Sequence, residues 1–108
     1  MIKLKHKENT LQCELRVYDY AHGIGVTAFF YSEGTPVGTI KFLCDKSDDQ
    51  YPLVSKYGHE DIVAKLEQAL ASNVYEELLD DMCLWQSKIE KLGHNTLSPL
   101  YGRIANAF

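Results

Sequence analysis

The sequence predicts an α+β fold, and three observations carry that prediction. Apolar residues recur at every second position up to about residue 44. Beyond Gly58 they recur every three to four. Turn-forming residues divide the first part into segments of strand length. Alternation of period two marks half-buried strands, and a spacing of three to four marks amphipathic helices. Strands followed by helices, rather than interleaved with them, give an antiparallel sheet with helices on one face. The expectation is a four-stranded antiparallel β-meander over about residues 2–44, followed by two to three α-helices packed on one face. At 108 residues the chain is one domain, 1–108.

The first strand sets Ile2, Leu4 and His6 against Lys3, Lys5 and Lys7. The second sets Leu11, Cys13, Leu15 and Val17 against Gln12, Glu14, Arg16 and Tyr18. A two-residue turn at Glu8-Asn9 would place Leu4 opposite Cys13, Ile2 opposite Leu15 and Lys3 opposite Glu14. The third strand runs from about Ile24 to Tyr31. A loop over Tyr20-Ala21-His22-Gly23 pairs Val17 with Val26, Leu15 with Ala28 and Cys13 with Phe30. A three-residue hairpin at Ser32-Glu33-Gly34 then leads into the fourth strand, with Gly34 supplying the left-handed residue. That hairpin pairs Ile24 with Phe42, Val26 with Ile40 and Ala28 with Gly38. Pro36 has no N–H to give a ladder, so its end of the strand belongs at an edge.

Asp45 to Gly58 reads as a solvated acidic loop. Asp45, Ser47 and Asp49 match the first ligands of an EF-hand. The match fails at Gln50, where the turn glycine is needed, and at Lys56, where a bidentate glutamate is needed. A helix follows from His59 to Ala71, with Glu60 and Asp61 suiting the positive end of its dipole. Its stripe is Ile62, Val63, Leu66, Ala69 and Leu70. A second helix, from about Val74 to Leu92, carries Tyr75, Leu78, Leu79, Met82, Trp85 and Ile89. Asn73 and Glu76 have capping-box spacing at its start, and Lys88, Lys91 and Gly93 suit its end. Ser98-Pro99 reads as the start of a short third helix through Leu100, Tyr101, Ile104 and Ala105. The expected core joins Ile2, Leu4, Leu15, Val17, Val26, Phe30, Ile40 and Phe42 to Ile62, Leu66, Leu70, Leu78, Met82, Trp85 and Ile89.

The net charge of −4 argues against a dedicated duplex-DNA binder. Residues 1–44 hold five basic against four acidic groups, and residues 45–108 hold six against eleven. Cys13, Cys44 and Cys83 are odd in number and far apart, so they form no disulfide framework. That composition suits a reducing compartment and a cytoplasmic location. The N-terminus lacks the apolar run of a signal peptide, and no stretch is apolar enough to span a membrane.

No catalytic constellation emerges. His6, His22, His59 and His94 come from separate segments without a metal-ligand spacing. Cys83 lies beside Asp80 and Asp81, whose charge disfavours a thiolate. No cofactor is expected. Two surfaces remain once the core is assigned. The far face of the sheet carries Lys5, Arg16, Tyr18, Phe29, Tyr31 and Lys41, together with Val37 and Leu43. This face is too apolar for a fully solvated surface. The polar side of the second helix carries Glu76, Glu77, Asp80 and Asp81. These acids form like-charge pairs at i,i+4 that cost helix stability. The leading expectation is a non-enzymatic protein-binding module, an inhibitor or immunity-type factor docking on a basic partner, with a homodimer as one way to cover the sheet. The alternative is single-stranded nucleic-acid binding through the basic and aromatic face. A small enzyme using histidine or cysteine is a third, lesser reading.

Overall fold

A computed structural model describes residues 2–83 and 99–108. The architecture is α+β, a mostly antiparallel five-stranded sheet with three helices. The strands are β1 (Ile2–His6), β2 (Asn9–Tyr20), β3 (Gly23–Ser32), β4 (Thr35–Asp45) and β5 (Leu100–Arg103), adjacent in that order. The helices are α1 (Tyr51–Val54), α2 (His59–Ala71) and α3, which occupies residues 76–83 of the described chain. A short 3₁₀ turn, Ile104–Ala107, follows β5. No helix among the described residues is long and apolar enough to cross a membrane.

The meander forms as expected, and the β2–β3 register is the expected one: Val17 faces Val26, Leu15 faces Ala28 and Cys13 faces Phe30. The two flanking registers differ from expectation by two residues. At the β1–β2 hairpin the turn is Lys7-Glu8, with Lys7 left-handed at φ 54°. His6 therefore meets Asn9, Leu4 meets Leu11, Ile2 meets Cys13 and Lys3 meets Gln12. At the β3–β4 hairpin the turn is the two-residue Glu33-Gly34, both at positive φ, with Ser32 facing Thr35. A bulge between Phe30 and Tyr31 on one side and Gly38 and Pro36 on the other then resets the ladder. Ile24 faces Cys44, Val26 faces Phe42 and Ala28 faces Ile40. A slip of two residues leaves every side chain on its own face, so hydrophobic alternation cannot detect it. Turn chemistry decides between such registers. Two consecutive residues at positive φ match the twist of a tight hairpin.

The bulge also corrects one face assignment. Val37 stands unpaired at the bulge and is buried in the core, not displayed on the far face. A bulge inserts one residue and so inverts the alternation on its strand. Pro36 is exposed at the end of β4 that β5 does not reach.

Helix α2 occupies the expected residues, and Ile62, Leu66, Ala69 and Leu70 are its buried stripe. Its first turn holds Glu60 and Asp61. The next helix begins at residue 76 rather than 74, after a turn in which the Glu76 N–H reaches Asn73 O at 3.4 Å. Tyr75, Leu79 and Met82 point into the core and Leu78 packs at its margin. Trp85, Ile89, Lys88, Lys91, Gly93 and His94 lie outside the described residues.

The expected third helix is not formed at residues 100–103. Leu100–Arg103 pair in parallel with β4, Ile40 against Leu100 through Leu43 against Arg103. The backbone groups on that side of β4 border a packed core, where an unpaired amide is costly. Leu100–Arg103 satisfy them, and Pro99, which has no N–H, precedes the ladder. The loop after β4 is likewise more than solvated chain. It folds into α1 and sends Val54 fully into the core.

Candidate interaction surfaces

Every described helix packs on the face of the sheet that carries Leu4, Val26, Phe30, Ile40 and Phe42. The opposite face has no covering layer among the described residues. Register places Lys3, Lys5, Gln12, Glu14, Arg16, Tyr18, Thr27, Phe29, Tyr31, Thr39, Lys41 and Leu43 on it. The structure thus gathers all six residues assigned to this face from sequence: Lys5, Arg16, Tyr18, Phe29, Tyr31 and Lys41. It adds Tyr101, which lies beside Lys41 through the β4–β5 ladder and is 61% exposed. Leu100 and Gly102 face inward, and Tyr101 and Arg103 outward. That alternation is present in the sequence, but four residues after a Ser-Pro pair read more readily as a helix start.

Local contacts set how this face can behave. Gly25 lacks a Cβ because the Tyr18 ring lies across it; a Cβ there would sit 2.4 Å from Tyr18 Cζ. Tyr18 also packs near Tyr20, with centroids 6.1 Å apart. The Tyr20 hydroxyl donates to the Asp45 carboxylate, and this bond pushes its pKa up to about 12. Arg16 lies 5.7 Å over the Phe29 ring, and its Nη2 is 3.3 Å from Glu14 Oε1. Arg103 grips Asp48 with two hydrogen bonds, Nε to Oδ2 at 2.8 Å and Nη2 to Oδ1 at 2.5 Å. This guanidinium and the Gln50 N–H hold the Asp48 carboxyl at about 2. Two cations near the face are therefore already neutralised within the chain. Among the described residues, Lys3, Lys5 and Lys41 have no carboxylate in ion-pair contact.

The acidic helix face divides differently from its sequence reading. Glu76, Glu77 and Asp81 are exposed. Asp80 instead turns to the β1–β2 hairpin, where Oδ1 lies 2.7 Å from both His6 Nε2 and Lys7 Nζ. The Lys7 ammonium and then His6 hold its carboxyl below the usual range. Lys7 is raised in return by Asp80. Asp80 thus ties α3 to β1. Sequence offered no sign of this, because the partners are 74 residues apart.

Among the described residues, the titratable groups do not assemble a nucleophile. Burial pushes the Cys13 thiol up to about 12. Cys44 is raised by burial and then by Asp48. Cys83 is raised by burial and then by Asp80, and its Sγ is 4.0 Å from Asn9 Nδ2. A reactive cysteine needs the opposite shift. His59 pairs with Asp19 at 3.2 Å, and His22 packs edge-on to Tyr20. Among the described residues no group of His, Cys, Asp and Glu is arranged to hold a metal ion. The chain matches no protein-family model, no curated protein and no solved structure.

Proposed function

We propose that this chain is a non-enzymatic protein-binding module whose contact surface is the open face of the sheet. One observation carries the reading: Tyr18, Phe29, Tyr31 and Tyr101 stand half-exposed to exposed on a face that no described element covers. Aromatic side chains on a rigid, uncovered sheet supply large contact area at little entropic cost, and tyrosine is enriched in protein interfaces. The β2–β3–β4 ladders hold these rings in place before any partner arrives, which lowers the cost of ordering on binding.

On this reading the acidic helix is auxiliary. Glu76, Glu77 and Asp81 are available to steer a basic partner, as an inhibitor or immunity-type role requires, whereas Asp80 is engaged within the chain. Steering of this kind acts mainly on the rate of encounter. The test is capture from the native host with wild type beside Phe29→Asp. A protein retained by wild type and lost with the folded variant supports the face. Equal retention by both rules it out.

Lys3, Lys5 and Lys41, interleaved with the aromatics, favour one second reading: single-stranded nucleic acid stacked across the same face. Its weakness is that Arg16 and Arg103 are paired internally. A single-stranded oligonucleotide should then be retained at low salt and released steeply as salt rises. Absence of retention at low salt eliminates this reading and leaves the protein-binding one standing.

A further inference from the structure

Strand β2 is longer than the strand beside it. β1 pairs with residues 9–13 and its described part ends where Ile2 meets Cys13. Seven of the twelve residues of β2, Glu14–Tyr20, run on with β3 on one side and no strand on the other among the described residues. Open edges invite pairing with another strand, and proteins blunt them with charged side chains, lysine above all, or with proline, bulges or short length. The other edges of this sheet carry such devices. β1 has Lys3 and Lys5. The uncovered end of β4 has Pro36 and the bulge. β5 is four residues long. The β2 overhang, Glu-Leu-Arg-Val-Tyr-Asp-Tyr, has no lysine, proline or bulge; its charges are Glu14 and Arg16, which contact each other, and Asp19, which is held by His59.

The burial pattern marks the same edge. Val26 and Ala28 on β3 are fully buried, yet their ladder partners Val17 and Leu15 on β2 stay half-exposed. Val63 of α2 lies beside Val17, also half-exposed, and the two line one shallow pocket with His59 and Glu60. An apolar seam thus runs along an unpaired backbone edge.

We propose that a second copy of this chain pairs antiparallel along Glu14–Tyr20, about a two-fold axis at Val17, joining two five-stranded sheets into one of ten strands. Of the registers centred on Arg16, Val17 and Tyr18, that one pairs the residues of the overhang best. Val17 meets Val17 of the second copy, next to Val63 from both. Arg16 meets the ring of Tyr18, a cation over an aromatic face. Glu14 meets Tyr20 and Leu15 meets Asp19, whose carboxylate is already held by His59, so each of the seven residues has one opposite it and the strand ends where β1 begins. Centring the axis on Arg16 sets two guanidinium groups opposite each other and drives Asp19 against Cys13, which Ile2 already occupies. Centring it on Tyr18 opposes Leu15 to the turn residue Ala21 and leaves Glu14 unpaired. An isologous two-fold contact of this kind closes on itself, so it yields a dimer rather than a fibre. The edge borders the aromatic face and shares Arg16 and Tyr18 with it, and the dimer would present two such faces side by side.

Sedimentation equilibrium tests the proposal. Wild type should be a dimer, and Val17→Lys, which sets two ammonium groups opposite each other at the axis, should weaken association by about tenfold or more. The variant's far-UV circular dichroism should be unchanged, because position 17 is half-exposed in one chain. Val17→Cys in a Cys83→Ser background gives an independent readout. Directly opposed Cβ atoms lie about 4.5–5.5 Å apart, close enough for a disulfide after small adjustment. Mild oxidation should therefore yield a covalent dimer, and Tyr101→Cys in the same background should not. Phe29→Asp should leave the dimer intact, which separates failure of the edge from failure of the face. A wild-type monomer at every loading concentration overturns the proposal, as does a dimer that Val17→Lys leaves unchanged.

Discussion

His6 and Asp80 show how much one contact can reassign a residue. His6 is buried on the core face of β1, where a lone imidazole would be costly, and Asp80 meets it at 2.7 Å. Asp80→Ala should lower the denaturation midpoint, because it leaves a buried polar ring unpartnered. Glu77→Gln with Asp81→Asn should change stability by no more than about 0.5 kcal/mol, and upward if at all, since it removes an i,i+4 repulsion. Thermal or urea unfolding of the two variants checks both statements. A second residue-scale prediction concerns acid. The Asp48 carboxyl is held at about 2 in the folded chain, against 3.8 for the free group. Its folded value is depressed, so its contribution is complete above about pH 4 and is lost as pH falls towards 2. Asp80 is depressed too and acts in the same direction. Arg103→Gln should flatten the loss of stability measured between pH 4 and 2. A wild-type acid profile in that variant would show that the Asp48–Arg103 fork does not hold in solution.

At the scale of elements, α2 is the clearest case of a helix set by its own sequence. Its bounds and its stripe follow from spacing alone apart from Val63, which lies half-exposed on the flank, and Leu66 is completely enclosed. Leu66→Ala should cost about 2–5 kcal/mol, as enclosed large-to-small changes do. Val63→Ala, on the half-exposed flank of the same helix, should cost about 1 kcal/mol or less in a monomer. Equal losses in urea unfolding would mean that α2 is rotated from the face described. The strands divide on a different principle. Parity of burial specifies which face each residue takes, and the assignments from β1 to β4 held except Val37 at the bulge and Lys7, which leaves the strand for the turn and reaches Asp80 on the helix side. Parity is blind to slips of two residues. The β1–β2 register moved by two with the turn at Lys7-Glu8, and the β3–β4 register moved by one with the turn at Glu33-Gly34 and by one more at the bulge. β5 was illegible for a third reason. Leu100–Arg103 are a strand because β4 needs a partner there, and that need is created by residues some 60 positions earlier.

At the scale of the molecule, the arrangement of the described residues is one-sided: helices over one face of the sheet and aromatic residues on the other. If that second face is the contact surface, Phe29→Asp should abolish partner binding while the unfolding midpoint moves little, because Phe29 is half-exposed on the uncovered face, with Arg16 over its ring. Neutralising Glu76, Glu77 and Asp81 together should slow association with a basic partner and reduce its salt dependence, with little effect on the dissociation rate. An unchanged on-rate at low salt would assign those three groups to solvent.

Sequence alone determined the class of the fold, the existence of the four-stranded meander, the identity of α2 and the place of Tyr18, Phe29 and Tyr31 on one face of the sheet. Each of these rests on periodicity within a segment, and periodicity is a local property that survives small errors of alignment between segments. The tertiary structure alone decided the fifth strand, the bulge that buries Val37, the capture of Asp80 by His6 and Lys7, and the fork that ties Asp48 to Arg103. Each of those depends on which backbone group or charge a distant part of the chain leaves unsatisfied. No spacing in a sequence records such a vacancy, because the fold creates it only once the sheet and the helices have met.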